Sequence, residues 1–461
     1  MNRFLLSLFC ISFFACSENS KECPSIILSG EIVNPTSDFV VLFKNDAVID
    51  SARLNDQNHF TFNLQGLEEG LYHFDHNPEQ QYVYLREGDS MLIRLNTLEF
   101  DESLVFSGRG SDINNFLVEM FLAHEEEEMM VYDLYRMHPE QFSHKIDSLR
   151  LVKIKHLEEL VSENDFTEKE LAMAKASIDY RSFLYKEKYP FYHKKRTGDE
   201  TIHELEDSFY SYRKNVDLNE HTLTYFRPYF DFMKHHFGNL AYIACMEDCG
   251  GKTKGVVENH LHFNKHILRL VDSLVQEPEI RNNLFRNVTM DYLLKEHNTN
   301  KECGIFIDKF NALSTNDAHK EEIGYLYNGI RNLQPNMSLP NLEVWNADNE
   351  KINIKNISKD KKTVFYFWTA TQRRHFRNVL RHVSKLKEKH PDHQFVGISL
   401  KTNQPQWLKI LEEYKLDKYS QFRGDDFEKV QTAMIVDGLN KCIIAKDTLI
   451  VDAFANLYRS F

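Results

Sequence analysis

Glycine and proline are scarce in this chain, 17 and 11 of 461 residues. That excludes collagen-like and low-complexity architectures, which need a much larger share of both. Positive charge is also in short supply. Fifty-six basic against 69 acidic side chains leave a formal net charge of −13. That is the wrong sign for nonspecific binding to nucleic acid, where Lys and Arg neutralise phosphate, so no nucleic-acid partner is expected. Beyond residue 15 no uncharged apolar run approaches the roughly 18 residues of a membrane-spanning helix. Walker loops, Gly-x-Ser-x-Gly elbows and dinucleotide fingerprints are absent, which removes the usual sequence signs of phosphate-loop, hydrolase and nucleotide-dependent redox enzymes. Aromatics, by contrast, are plentiful: 34 Phe and 21 Tyr can fill sizeable cores.

The first residues read as an address. Met1 to Arg3 is a short cationic start, and Phe4 to Ala15 is free of charge. Twelve such residues span about 18 Å as a helix, short of a ~30 Å hydrocarbon core but suited to the apolar region of a secretory signal. Phe14-Ala15-Cys16, followed by Ser17-Glu18-Asn19, resembles a bacterial lipobox, with Phe13 where Leu is usual. The resemblance implies a signal peptide at 1–15, a lipidated Cys16 as mature N-terminus and a linker at 16–24. A plain signal peptide cleaved nearby is the alternative. The expected location is the cell envelope, with the outer membrane favoured. The folded domains would lie in the periplasm or at the cell surface, held to the membrane by the lipid.

Three regions follow. Residues 25–108 carry short β-rich runs every eight to twelve residues, such as SIILSGEIV, FVVLFK, HFTFNL and SMLIRL, which predict an antiparallel sandwich or barrel. With Gly30, Asp50, Phe60/Phe62, Gly88-Asp89-Ser90 and Phe106-Ser107-Gly108, the region resembles the small β domain that precedes thioredoxin-like domains in many envelope lipoproteins. Residues 109–335 show apolar periodicity of three and four and predict an all-α region without a fixed repeat. Its aromatic cluster Tyr225-Phe226-Arg227-Pro228-Tyr229-Phe230 reads as core.

Residues 336–461 predict an α/β domain. LPNLEVWNADNEKINIKNI gives two short strands and TVFYFW a buried central strand, followed by a helix to about Lys389. Then come the strand QFVGISL, a helix from about Gln404, a strand or turn near 419–423, a short helix and the hairpin KCIIA–KDT–LIVDAF. With Phe367-Trp368-Thr369, Gly397-Ile398-Ser399 and Lys446-Asp447, this order resembles the thioredoxin-like domains of the TlpA/ResA and peroxiredoxin-related families. The fold class expected is therefore multidomain α+β.

That resemblance implies a Cys-x-x-Cys at the start of the helix after the central strand. A helix N-terminus lowers the thiol pKa of the first Cys, and the second resolves the mixed disulfide. Here Gln372 and His375 occupy those two positions, with Arg373 and Arg374 between them. The family's cis-proline position falls at Leu439, whose peptide bond is expected trans. Neither replacement can form a disulfide, so no catalytic residue is assigned. Arg373, Arg374 and His375, with His382 further along the face, are candidates for holding an anion, set against a plain solvated basic turn.

The remaining cysteines lie elsewhere. Cys23 falls in the linker and Cys442 in an apolar strand. Cys245 and Cys249 are four apart near a helix end, a spacing compatible with a disulfide or with two buried thiols. His262 and His266 have the i,i+4 spacing of a zinc pair, yet no third ligand is fixed by spacing and the chain scatters 21 His, so no metal and no other cofactor is expected. The sequence thus reads as an envelope lipoprotein whose thioredoxin-like domain is a redox-inactive binding or scaffold module, partnered by another envelope protein. The alternative is a periplasmic thiol–disulfide oxidoreductase of the TlpA/thioredoxin kind.

Overall fold

The computed structural model describes residues 25–76, 79–97, 99–202, 205–248 and 260–461. The signal and linker expectations, including Cys16 and Cys23, lie outside these residues, as does Cys249. The chain forms two compact units. One holds the residues up to Thr197 with Leu205–Tyr210 and Tyr225–Phe232; the other holds Gly198–Glu204, Ser211–Thr224 and Met233–Phe461. The helical region between the β-rich and α/β segments therefore divides between two cores.

In the first unit, eight strands form two four-stranded sheets: β1 (Ile26–Val33), β2 (Phe39–Lys44), β3 (Ala47–Arg53), β4 (His59–Leu64), β5 (Gly70–His76), β6 (Glu79–Leu85), β7 (Ser90–Asn96) and β8 (Val105–Arg109). A short helix, α1 (Phe100–Ser103), precedes β8. The strand orders are β4-β1-β7-β8 and β3-β2-β5-β6. Alternating residues of both sheets share one core, from Leu28 and Phe62 to Leu42 and Phe74. One pairing departs from the all-antiparallel expectation: β1 runs parallel to β7, with Gly30 opposite Ile93. Three long helices follow in this unit, α2 (Ser111–Leu134), α3 (Pro139–Glu163) and α4 (Glu168–Thr197), and the start of a further helix at Arg227 joins them. The aromatic cluster is core as expected, since Tyr229 is buried with its ring 4.8 Å from that of Tyr180.

The second unit contains most of α5 (Arg227–Asp248), then α6 (His260–Leu274), α7 (Pro278–Glu296), α8 (Lys301–Leu313) and α9 (Asp317–Asn332). Its sheet is built from β9 (Glu343–Trp345), β10 (Lys351–Asn353), β11 (Lys362–Thr369), β12 (His393–Leu400), β13 (Gln421–Arg423), β14 (Lys441–Lys446) and β15 (Leu449–Asn456). Between these strands lie α10 (Ile354–Ser358), α11 (Arg373–Lys389), α12 (Gln404–Glu413) and α13 (Phe427–Met434). The strand order is β10-β9-β13-β12-β11-β14-β15. β11, β12 and β13 run parallel, whereas β14 is antiparallel to β11 and to β15. This succession is the one the thioredoxin-like resemblance implies, with α10 added.

The apolar run explains the placement of β11. Thr363 to Thr369 are all buried, as a strand covered on both faces requires. Val364, Tyr366 and Trp368 point to one side and meet Phe376, Val379, Val383 and Leu386 of α11 and Trp407 of α12. Those four α11 residues recur at three- and four-residue spacing, so the strand and helix are locked by complementary periodicities. The C-terminal end of β11 is thereby fixed against the N-terminus of α11. Among the described residues no helix is long and apolar enough to cross a membrane.

Candidate functional site

In an open α/β sheet, ligands gather beyond the carboxyl ends of the parallel strands. Here β11 ends at Thr369, and Ala370 and Thr371 lead into α11. Gln372 is the residue before the helix; its carbonyl accepts from Phe376 N at 3.0 Å, and its side chain makes no capping bond. Arg373 and Arg374 occupy the first turn, which contains no acidic residue. Both are exposed, and neither guanidinium has an ion-pair partner among the described residues. Their charges oppose the positive end of the helix dipole, so this turn attracts anions through backbone and side chains together.

His375 is half-buried. Its Nε2 lies 3.1 Å from Oδ1 of Asn440, which can only accept, so Nε2 carries the proton. Nδ1 is buried with no hydrogen-bond partner. Asn440 stands just before β14, on the loop that also holds Leu439. The loop expected beside Gln372 and His375 is therefore in contact with His375, through Asn440. Leu439 itself is half-buried.

Thr371, Gln372, Arg373, Arg374, His375, Asn378, Asn440 and Tyr458 line an open depression of about 800 Å³. His382 does not line it. Its Nε2 is 2.9 Å from the Leu457 carbonyl and its ring stacks on Tyr458 at 4.4 Å, so it holds that wall from behind. Under the floor, Trp368 Nε1 donates to Gln421 Oε1 (3.1 Å), and Gln421 Nε2 donates to the Tyr366 hydroxyl (2.8 Å). This closed polar chain within the core ties β11 to β13.

Among the described residues no thiol lines the depression. Cys442 pairs in register with Tyr366, three residues upstream of the end of β11, and is fully buried. Burial, with a smaller contribution from Asp452, pushes its thiol up to about 12. Cys303 lies in α8, where burial pushes its thiol up to about 11. The thiolate is the nucleophile, so both are inert at neutral pH.

A second cavity of about 190 Å³ shares Asn440 and adds His297, Asp437, Lys441 and Phe454. Lys441 is buried, donates to the Ile435 carbonyl and stands over the Phe454 ring at 4.3 Å. Burial lowers its pKa to about 8, against the opposing pull of Asp437 and Asp452. Asn440, Asn378, Tyr458 and Lys441 were not singled out from the sequence. A Lys opening an apolar strand was the only visible signal among them. Of the other flagged residues, Cys245 is a buried thiol in α5, and His262 and His266 lie on α6.

No family profile and no curated protein sequence matches the chain. Solved structures do resemble part of it. A putative thiol-disulfide oxidoreductase from Bacteroides vulgatus is 19% identical, with 27% of this chain and 87% of that one covered and a TM-score of 0.23. A secreted Mycobacterium tuberculosis disulfide oxidoreductase is 15% identical, covering 25% and 83%, with a TM-score of 0.21. A thiol-disulfide oxidoreductase from Bacteroides fragilis is 19% identical, covering 25% and 87%, with a TM-score of 0.21.

Proposed function

We propose that the chain is an envelope lipoprotein, anchored through Cys16, whose C-terminal domain is a redox-inactive binding module. The observation that carries this reading is the pair Gln372 and His375 at the start of α11, in place of two thiols. Thiol–disulfide exchange requires a thiolate attacking a disulfide, and a second thiol to release the mixed disulfide. An amide and an imidazole supply neither. The depression instead offers two exposed guanidinium groups, a half-buried imidazole and the carboxamides of Gln372, Asn378 and Asn440. These groups suit a carboxylate or other anionic group on a partner protein, since guanidinium pairs bidentately with such oxygens.

A photo-crosslinking residue at Gln372, introduced into the lipidated protein in its own envelope, tests the reading. A discrete adduct is expected, and the double charge reversal Arg373→Glu/Arg374→Glu should abolish it. An adduct pattern unchanged by the reversal would contradict binding at this turn. Anchoring is tested separately. Cys16→Ser should move the protein from the membrane fraction to the soluble one, and continued membrane association would count against lipidation.

A further inference from the structure

Outside the depression, the cluster with the most defined chemistry joins α5 to α6 within the second unit. Each of Cys245, His262 and His266 offers a ligand atom, and the three atoms lie within 4.8 Å of one another. Cys245 and His266 are buried, and His262 is half-buried. The helical spacing of four sets both imidazoles on one face of α6, with their Nε2 atoms 3.1 Å apart. Two nitrogens bound to one tetrahedral zinc at about 2.0–2.1 Å lie about 3.3 Å apart, so the pair already spans an edge of the polyhedron. A sulfur at about 2.3 Å from the same ion stands about 3.6 Å from each nitrogen, so from a separation of at most 4.8 Å closure requires a shift of roughly 1.2 Å or less.

An Nε2–H···N bond accounts for the imidazole pair alone. A buried thiol arrives at the same point from a different helix. The sequence adds a second feature. The third ligand that spacing alone leaves open is the Cys245 thiol, and Cys245, Cys249, His262 and His266 then read Cys-x3-Cys-x12-His-x3-His, a spacing met in Cys2His2 zinc sites.

We infer that Cys245, His262 and His266 form a structural site for a zinc-class divalent cation that pins α5 to α6. The three described ligands carry the site, and its fourth position is left to water. Binding replaces the thiol proton of Cys245 with the metal, so one proton leaves to solvent for each thiolate ligand; no electron is transferred. With the cation on His266 Nε2, the ring's remaining proton sits on Nδ1. That atom faces Arg269 Nη2 at 3.0 Å. Two donors cannot remain at that distance, so the Arg269 head group turns outward as the metal enters.

The test uses the full-length protein, stripped of metal under reducing conditions and titrated with Zn²⁺ against a chromogenic chelator. One equivalent is expected to bind to the wild-type protein, and Cys245→Ser should bind it more weakly. Co²⁺ in place of Zn²⁺ should give the intense visible bands of a tetrahedral site with a thiolate charge-transfer band. Cys245→Ser should lose that band. Arg269→Gln, whose side-chain oxygen can accept from Nδ1–H, should bind Zn²⁺ about tenfold more tightly, the scale of an outer-shell effect. The inference is overturned if the reduced wild-type protein binds no stoichiometric Zn²⁺. It is equally overturned if Cys245 is found in a disulfide with Cys249 after refolding with Zn²⁺ present.

Discussion

At the scale of single residues, the site turns on which side chains can carry charge or a nucleophile. Cys442 and Cys303 cannot act as nucleophiles near neutrality, because burial holds both thiols far above that range. In the folded protein at pH 7.5, neither should react with iodoacetamide over an hour, and both should react on unfolding; mass spectrometry of the labelled peptides reads this out. Lys441 gives a pH signature. Its native pKa is near 8 and its unfolded value near 10.5, so between these limits the unfolded chain binds a proton that the native protein has released. Stability therefore rises with pH across that window, and the desolvation cost is fully present below it. Relative to Lys441→Met, the wild type should gain on the order of 3 kcal/mol between pH 8 and 10.5 in denaturant unfolding. A difference that stays flat with pH would contradict the burial of a charged amine. That Gln372 and His375 stand at the start of α11 was legible in the sequence, because the strand and helix around them follow one periodicity each. Asn440 and Lys441 were not, since their roles depend on a loop returning to α11 from 65 residues away in the case of the His375–Asn440 contact.

Secondary elements were legible where one periodicity governed them. β11 is a continuous apolar run, and α11 repeats its core residues every three or four positions. α8 is harder to read in the sequence, although Asn300 caps it by accepting from Cys303 N at 2.9 Å and Cys303, Phe306, Ile307 and Phe310 form its buried face. The Gly at 304 and the short length masked that face. α4 runs on through Pro190 to Thr197, because tertiary packing around Tyr185 and Tyr189 outweighs the local cost of the proline. β12 carries the prediction at this scale. A Cβ on Gly397 would stand 2.2 Å from Gln421 Oε1 and 2.8 Å from the Tyr366 hydroxyl. Gly397→Ala therefore has to displace the chain of bonds from Trp368 through Gln421 to Tyr366. A loss of about 1–3 kcal/mol is expected in chemical denaturation. A change in the environment of Trp368 should accompany it in near-ultraviolet circular dichroism, whereas unchanged stability would mean the chain of bonds adapts freely.

For the molecule as a whole, composition established an acidic, aromatic-rich globular chain, and local pattern located the β-rich, helical and α/β stretches. It did not show that the helices divide between two cores, because each amphipathic face is compatible with many partners. The same limit hid the cluster on α5 and α6: the histidine pair was visible, but its convergence with Cys245 is a long-range fact. The fold brings Gln372, His375 and the loop at Asn440 together, and the buried thiols at 303 and 442 are unsuited to act as nucleophiles. The measurement that bears most directly on this account is reduction of insulin by the purified, reduced full-length protein with dithiothreitol as electron donor. The account predicts a rate equal to dithiothreitol alone. Turnover above that background, abolished by Cys245→Ser or Cys249→Ser, would contradict it.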